Sequence, residues 1–145
     1  MKLYLDTSAL VKLYVEEEGT ALVKKAVEDA DIVATSLVAY VEARAAFARR
    51  RREGILLVAD HSRVLRNFEN EWRRFVVIDV TVPLVRNAAT FAELFALRGF
   101  DAIHLAAAEF FRVEIGESVS FGCWDARLEA AARRQGLQLL RARLQ

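Results

Sequence analysis

Four acidic residues stand where a carboxylate needs a reason: Asp6, Glu42, Asp101 and Asp125. Asp6 ends the run KLYLD and Asp125 follows VSFGCW, so both come at the carboxyl ends of strand-like segments, while Asp101 opens a helical segment after Gly99. Each has an ordinary alternative, because Asp is a favoured helix N-cap and acids are at home on solvated helix faces. Glu42 is the hardest to dismiss: Val38, Val41, Ala45 and Ala46 surround it at helical spacing and set it within or beside an apolar stripe, where an acid requires a partner. Two carboxylates about 4 Å apart repel by roughly 4 kcal/mol at an effective dielectric of about 20, so four that meet must take up protons or bind cations. An all-oxygen pocket suits Mg2+ or Mn2+, which keep several waters and share the rest of their shell with phosphate oxygens. One Cys and two His cannot build a standard closed zinc site.

Such acids meet only if the chain brings strand ends together. The pattern predicts a strand over residues 2–6, then a helix over 9–15 with Thr7 or Ser8 as its N-cap. A second helix runs from Gly19 and Thr20 to about Asp29, and a strand covers 31–35. Ser36 caps a long helix that carries Glu42 and lasts until the Arg run and Gly54; residues 55–74 are helical with a break near 60–62. A strand over 75–80 leads to a helix over 82–98, with Thr81 as N-cap, Pro83 just inside and Gly99 as the stop. Helix 102–113, strand 119–124, helix 126–135 and a last strand 137–140 complete the chain. Alternating strands and helices with short connections imply an α/β fold with a parallel sheet covered on both faces and sites outside the carboxyl ends of its strands. One domain over 1–145 is expected.

Composition supports that reading. Of 145 residues 54% are apolar or aromatic and 28% charged, which excludes a disordered chain. One Pro and six Gly are too few for the many turns of an all-β barrel or sandwich, and a single Cys excludes a disulfide framework. No apolar run approaches the roughly 20 residues of a membrane span and no secretory leader is evident, so a cytoplasmic protein is expected. Net charge is only +1, yet residues 44–74 hold nine Arg and four acids. Arg44, Arg49 and Arg50 in this band are candidates for contact with phosphate groups or a partner, against the plainer reading of a solvated helix surface.

Four segments carry a resemblance: LYLDTSALVKLY, SLVAYVEARAAFAR, LRGFDAIHLAAA and SFGCWDARLEAAARRQGL. In this order and at these separations the chain resembles PIN-domain ribonucleases, and among them the VapC-type toxins of toxin–antitoxin pairs. The resemblance implies a PIN-like three-layer α/β/α domain whose central parallel sheet has four to five strands. It carries the family's acidic set onto Asp6, Glu42, Asp101 and Asp125 and adds Ser8 as a support beside Asp6. It also implies a small antitoxin and a homodimer as partners. The chain departs from the pattern at Cys123, where a Thr or Ser is common, and at the bulky Trp124.

The expected chemistry is hydrolysis of RNA by a water activated at one or two Mg2+ or Mn2+ ions, giving 5′-phosphate and 3′-hydroxyl ends. His104 is expected to be a packed, hydrogen-bonded histidine, and Phe47, Ile55, Leu56, Leu57 and Val58 to serve an interface or the core. A haloacid dehalogenase-type phosphatase would need a second Asp where Ser8 stands, and a receiver domain an acidic pair before its Asp. The remaining alternative is a PIN-like module that binds RNA or protein without cutting.

Overall fold

The computed structural model describes residues 1–144. Its strands are β1 (Lys2–Leu5), β2 (Ile32–Ser36), β3 (Val76–Ile78), β4 (Val119–Gly122) and β5 (Gln138–Leu139). The helices are α1 (Thr7–Val11), α2 (Thr20–Asp29), α3 (Val38–Arg52), α4 (Val58–Trp72), α5 (Val82–Phe95), α6 (Gly99–Ile115) and α7 (Ala126–Arg134). The strands form one sheet in the order β3-β2-β1-β4-β5, and every neighbouring pair is parallel.

Parallel strands covered on both faces read as nearly continuous apolar runs, and β1 does so because it lies at the centre. Its side chains alternate between two cores. Leu3 and Leu5 join Leu10, Val23, Phe47 and Phe68 beneath α1 to α4, whereas Tyr4 joins Phe121, Leu105, Phe91 and Leu128 beneath α5 to α7. The result is three layers, helices over sheet over helices. Tyr4 stacks on Phe121 with ring centroids 5.5 Å apart, and both are fully buried.

The local boundaries differ from the sequence expectation for physical reasons. Asp6, rather than Thr7 or Ser8, is the N-cap of α1, which ends at Val11 instead of reaching residue 15. Ser36 belongs to β2; the N-cap position of α3 is Leu37, although the Ser36 hydroxyl still accepts from Val38 N. Helix α4 runs unbroken from Val58, so Asp60 and Ser62 lie in its first turns instead of at a break. Helix α5 stops at Phe95 through Ala96 in the left-handed region (φ 54°), and Gly99 starts α6 rather than ending its predecessor. β5 keeps only two of the four expected residues. Among the described residues no helix is long and apolar enough to cross a membrane.

Candidate active site

The acids collect at the carboxyl edge of the sheet. Asp6 directly follows β1, its N–H bonding the carbonyl of Gly122 at 3.0 Å and so extending the ladder to β4. Asp125 lies just beyond β4 and caps α7, its Oδ1 accepting from Leu128 N at 2.8 Å. Glu42 comes from α3 and Asp101 from the first turn of α6, at the third residue of the helix instead of at its cap. All four line a single cleft of about 390 Å3, together with Ser8, Arg50, Arg98 and His104. A second, largely apolar cleft of about 640 Å3 adjoins it, lined by Val85, Ala88, Ala92 and Phe100 and sharing Glu42, Arg98 and Asp101.

Each carboxylate is held by the chain itself. Asp6 is only 4% exposed; its Oδ1 accepts from Ser8 Oγ at 2.7 Å and from Ala9 N at 2.9 Å. Burial pushes the Asp6 carboxyl up; His104, Ser8 and Ala9 oppose this, and the Asp101 charge adds to it. Glu42 Oε1 takes hydrogen bonds from Thr7 Oγ1 at 2.5 Å and from His104 Nε2 at 2.9 Å. Burial pushes this carboxyl up as well, but the bonds from His104 and Thr7 outweigh it and hold Glu42 below the usual range. Arg98 Nε donates to Asp101 Oδ2 at 3.0 Å.

His104 is buried, as expected of it, and ties the cleft to the core. A carboxylate only accepts, so the ring nitrogen facing Glu42 must be the protonated Nε2. The neutral tautomer then has a bare Nδ1, which accepts the phenol proton of Tyr4 at 2.9 Å. Burial, reinforced by the charges of Asp6 and Glu42, keeps that phenol protonated.

One wall of the cleft carries an ion cluster. Glu17 Oε1 pairs with Lys12 Nζ at 3.1 Å and its Oε2 with Arg50 Nη2 at 2.9 Å. Lys12 also lies 4.7 Å from the Trp124 ring centroid, and Trp124 packs over Gly19. Gly19 has φ 92°, and a Cβ there would stand 2.4 Å from Trp124 Cζ2. Gly19→Ala is therefore expected to cost about 1–2 kcal/mol in backbone strain and a further 1–3 kcal/mol, roughly, in displaced packing, read as a lower urea midpoint with unchanged slope.

The Arg band separates into different environments. Arg50 reaches the cleft, but Arg44 pairs with Glu69 of α4 at 2.8 Å and Arg49 with Glu53 at 2.8 Å, both outside its lining. Of the apolar residues considered for an interface, Phe47 is fully buried in the core; Ile55, Leu57 and Val58 stay exposed at the turn between α3 and α4. Cys123 is buried beside the site, and burial pushes its thiol well above the ordinary range, which disfavours the reactive thiolate. Sequence reasoning left Thr7, Lys12, Glu17 and Arg98 outside the site. Thr7 and Arg98 had a usable signal, since each lies within three residues of a candidate acid.

The donor set suits a hard divalent ion. Four carboxylates share one cleft, and the most buried of them, Asp6, is pushed up by burial and, to a lesser extent, by the charge of Asp101. Among the described residues no three acidic, His or Cys side chains stand close enough to enclose an ion. This is compatible with Mg2+, which usually takes only one or two carboxylates and keeps its waters.

Comparison with known proteins gives the family at two levels and the fold at a third. The PIN domain family model matches residues 3–115. Ribonuclease VapC45 and ribonuclease VapC49, both of Mycobacterium tuberculosis, are each 32% identical over 142 residues, covering 97% of this chain and 96% of theirs. The crystal structure of PAE2754 from Pyrobaculum aerophilum superposes with a TM-score of 0.65 at 20% identity, over 99% of this chain and 87% of that one. That of FitAcB from Neisseria gonorrhoeae gives 0.58 at 16% identity, over 94% and 95%. The two structures share the fold; the family model and the two relatives set the membership, and the chain belongs to the PIN-domain family, in its VapC-type ribonuclease branch.

Proposed function

We propose that the protein is a divalent-metal-dependent endoribonuclease, the toxin of a toxin–antitoxin pair, with Asp6, Glu42, Asp101 and Asp125 as the residues that hold the metal. The observation that carries this reading is the convergence of those four carboxylates, from four separate elements, on one cleft at the carboxyl edge of a parallel sheet. Membership among VapC ribonucleases supports RNA as the substrate. Bound there, Mg2+, or Mn2+ in its place, would lower the pKa of a water and offset charge on the scissile phosphate.

The chain's own part is orientation and charge. Ser8 and Ala9 N fix the Asp6 carboxylate, and Thr7 with His104 fixes that of Glu42, so neither has to be ordered when the substrate arrives. Asp125 is held by the start of α7. Arg50, anchored by Glu17, brings a cation to the wall of a cleft that otherwise repels RNA. The exposed Ile55, Leu57 and Val58 supply apolar surface for the antitoxin or a second protomer of a homodimer. The protein is proposed to act in the cytoplasm, as one domain over 1–145.

The test is incubation of purified, antitoxin-free protein with total cellular RNA in Mn2+ or in EDTA, followed by mapping of new 5′-phosphate ends. Discrete ends present only with the metal are expected. Metal-independent cleavage leaving 2′,3′-cyclic phosphates would overturn the metal mechanism. Metal binding without any new ends would leave a module that binds without cutting.

A further inference from the structure

We propose that Arg98 is a built-in counter-cation of the acidic cleft: it holds Asp101 while no ion is bound, yields that carboxylate to the divalent ion, and then engages a phosphate of the RNA. The inference rests on the metal-dependent reading above and assigns one residue to both ligands.

The geometry distinguishes Arg98 from the other cations nearby. Arg50 is 24% exposed and committed to Glu17, and Lys12 is buried against the same acid. Arg98 is 82% exposed and joined to Asp101 through Nε, which leaves the donors of its terminal nitrogens for another anion. It occupies the N-cap position of α6 in extended conformation (φ −68°, ψ 156°), just before Gly99, around which a Cβ would meet open space. It lines the same cleft as all four acids, and the charges of Asp125 and Glu42 act on it besides that of Asp101.

Its position also serves the substrate. Arg98 lines both the acidic cleft and the adjoining apolar one, at the passage between them. An RNA strand crossing the acids would bring a neighbouring phosphate to that passage, and a guanidinium released from Asp101 offers it a planar fork of donors. The Asp101 oxygen now bonded to Arg98 is a donor the ion would need, so the two cations compete for it. An exposed pair of this kind is weak, which makes it a barrier that an ion can displace.

The experiment compares the whole protein with Arg98→Gln and Arg98→Lys, reading free Mn2+ by electron paramagnetic resonance at low ionic strength and, separately, RNA affinity at saturating Mn2+. Removing the charge should tighten Mn2+ about threefold to fivefold, the ceiling of an exposed ion pair, and this gain should shrink as salt is raised. The same Gln variant should bind RNA about fivefold more weakly, with a salt slope smaller by about 1. Lys, which keeps the charge, should bind Mn2+ like the wild type.

Opposite effects on the two ligands are the signature, because a merely structural role would weaken both or neither. Unchanged or weaker Mn2+ binding in Arg98→Gln overturns the inference while leaving the metal site standing. Tighter Mn2+ with unchanged RNA affinity overturns the phosphate contact. If the wild type itself binds no Mn2+, the metal-dependent reading fails and this inference with it.

Discussion

Asp6→Asn is expected to lower metal-dependent RNA cleavage by about a thousandfold, corresponding to roughly 4 kcal/mol of lost transition-state stabilisation, without unfolding the protein. Asn is nearly isosteric and as good an N-cap, so its side-chain oxygen keeps the bonds from Ser8 Oγ and Ala9 N that begin α1. What disappears is the charge. Because burial raises the Asp6 carboxyl in the metal-free fold, its contribution to stability is full below the ordinary Asp range and is lost as pH rises through the folded value.

At neutral pH in EDTA the wild type carries that loss and the variant does not. The Asn protein should then melt no lower than the wild type, and any advantage should fade below about pH 4. Saturating Mn2+ should raise the wild-type melting temperature by linkage and leave the variant unmoved. A variant that still cuts, or that gains as much stability from Mn2+ as the wild type, would remove Asp6 from the site.

The alternation of elements was legible because parallel strands covered on both faces leave compact apolar runs such as KLYL and VSFG, and few residues separate them from their helices. Thr81 and Pro83 marked the start of α5 correctly for the same local reason: the cap and the fixed φ of Pro act within one turn. Its end was missed because Ala96 takes the left-handed conformation that sequence rules reserve for Gly or Asn. Four acids could be selected singly, but their shared cleft depends on strand order, and the order β3-β2-β1-β4-β5 is what sets β1 beside β4.

Contacts between distant residues were the least legible. Tyr4 and His104 meet across 100 positions, and Arg44 finds Glu69 only because α3 packs on α4. Charge counting therefore left Arg44 and Arg49 open between a ligand contact and a solvated helix surface, and could not foresee that each has an acid of its own chain beside it. Phe47 looked equally suited to an interface or the core, and the choice fell to the core because Tyr14 and Phe68 close over it edge to face.

The second large effect is expected at a residue that carries no ligand. His104 is 2% exposed, and its ring connects the Tyr4 phenol, Thr7 and Glu42. Leu fills a similar volume but offers neither nitrogen, so His104→Leu leaves the buried phenol without its acceptor and Glu42 with Thr7 alone. Leaving a polar group without its partner costs about 1–3 kcal/mol when it is buried, as Tyr4 is, and less when it is half-buried, as Glu42 is, so a loss of about 2–5 kcal/mol is expected in urea unfolding. Glu42 is held below the usual range because its two donors, helped by nearby positive charge, outweigh burial, and with one donor gone the carboxyl rises and its orientation loosens.

Loss of such an orienting partner typically costs 10- to 100-fold, roughly, in metal affinity or activity, so cleavage by the folded fraction should fall by about that factor. His104→Gln tests the cause, since an amide N–H can still reach Glu42 while the acceptor for Tyr4 is lost. It should recover much of the activity and little of the stability. Tyr4→Phe is the converse: the ring keeps its stack on Phe121, the bond to Nδ1 goes, and activity should fall less than in His104→Leu. Wild-type cleavage by folded His104→Leu protein would show that Glu42 is oriented without the histidine, and equal loss of activity in the Leu and Gln variants would show that packing rather than the donated proton is what the site requires.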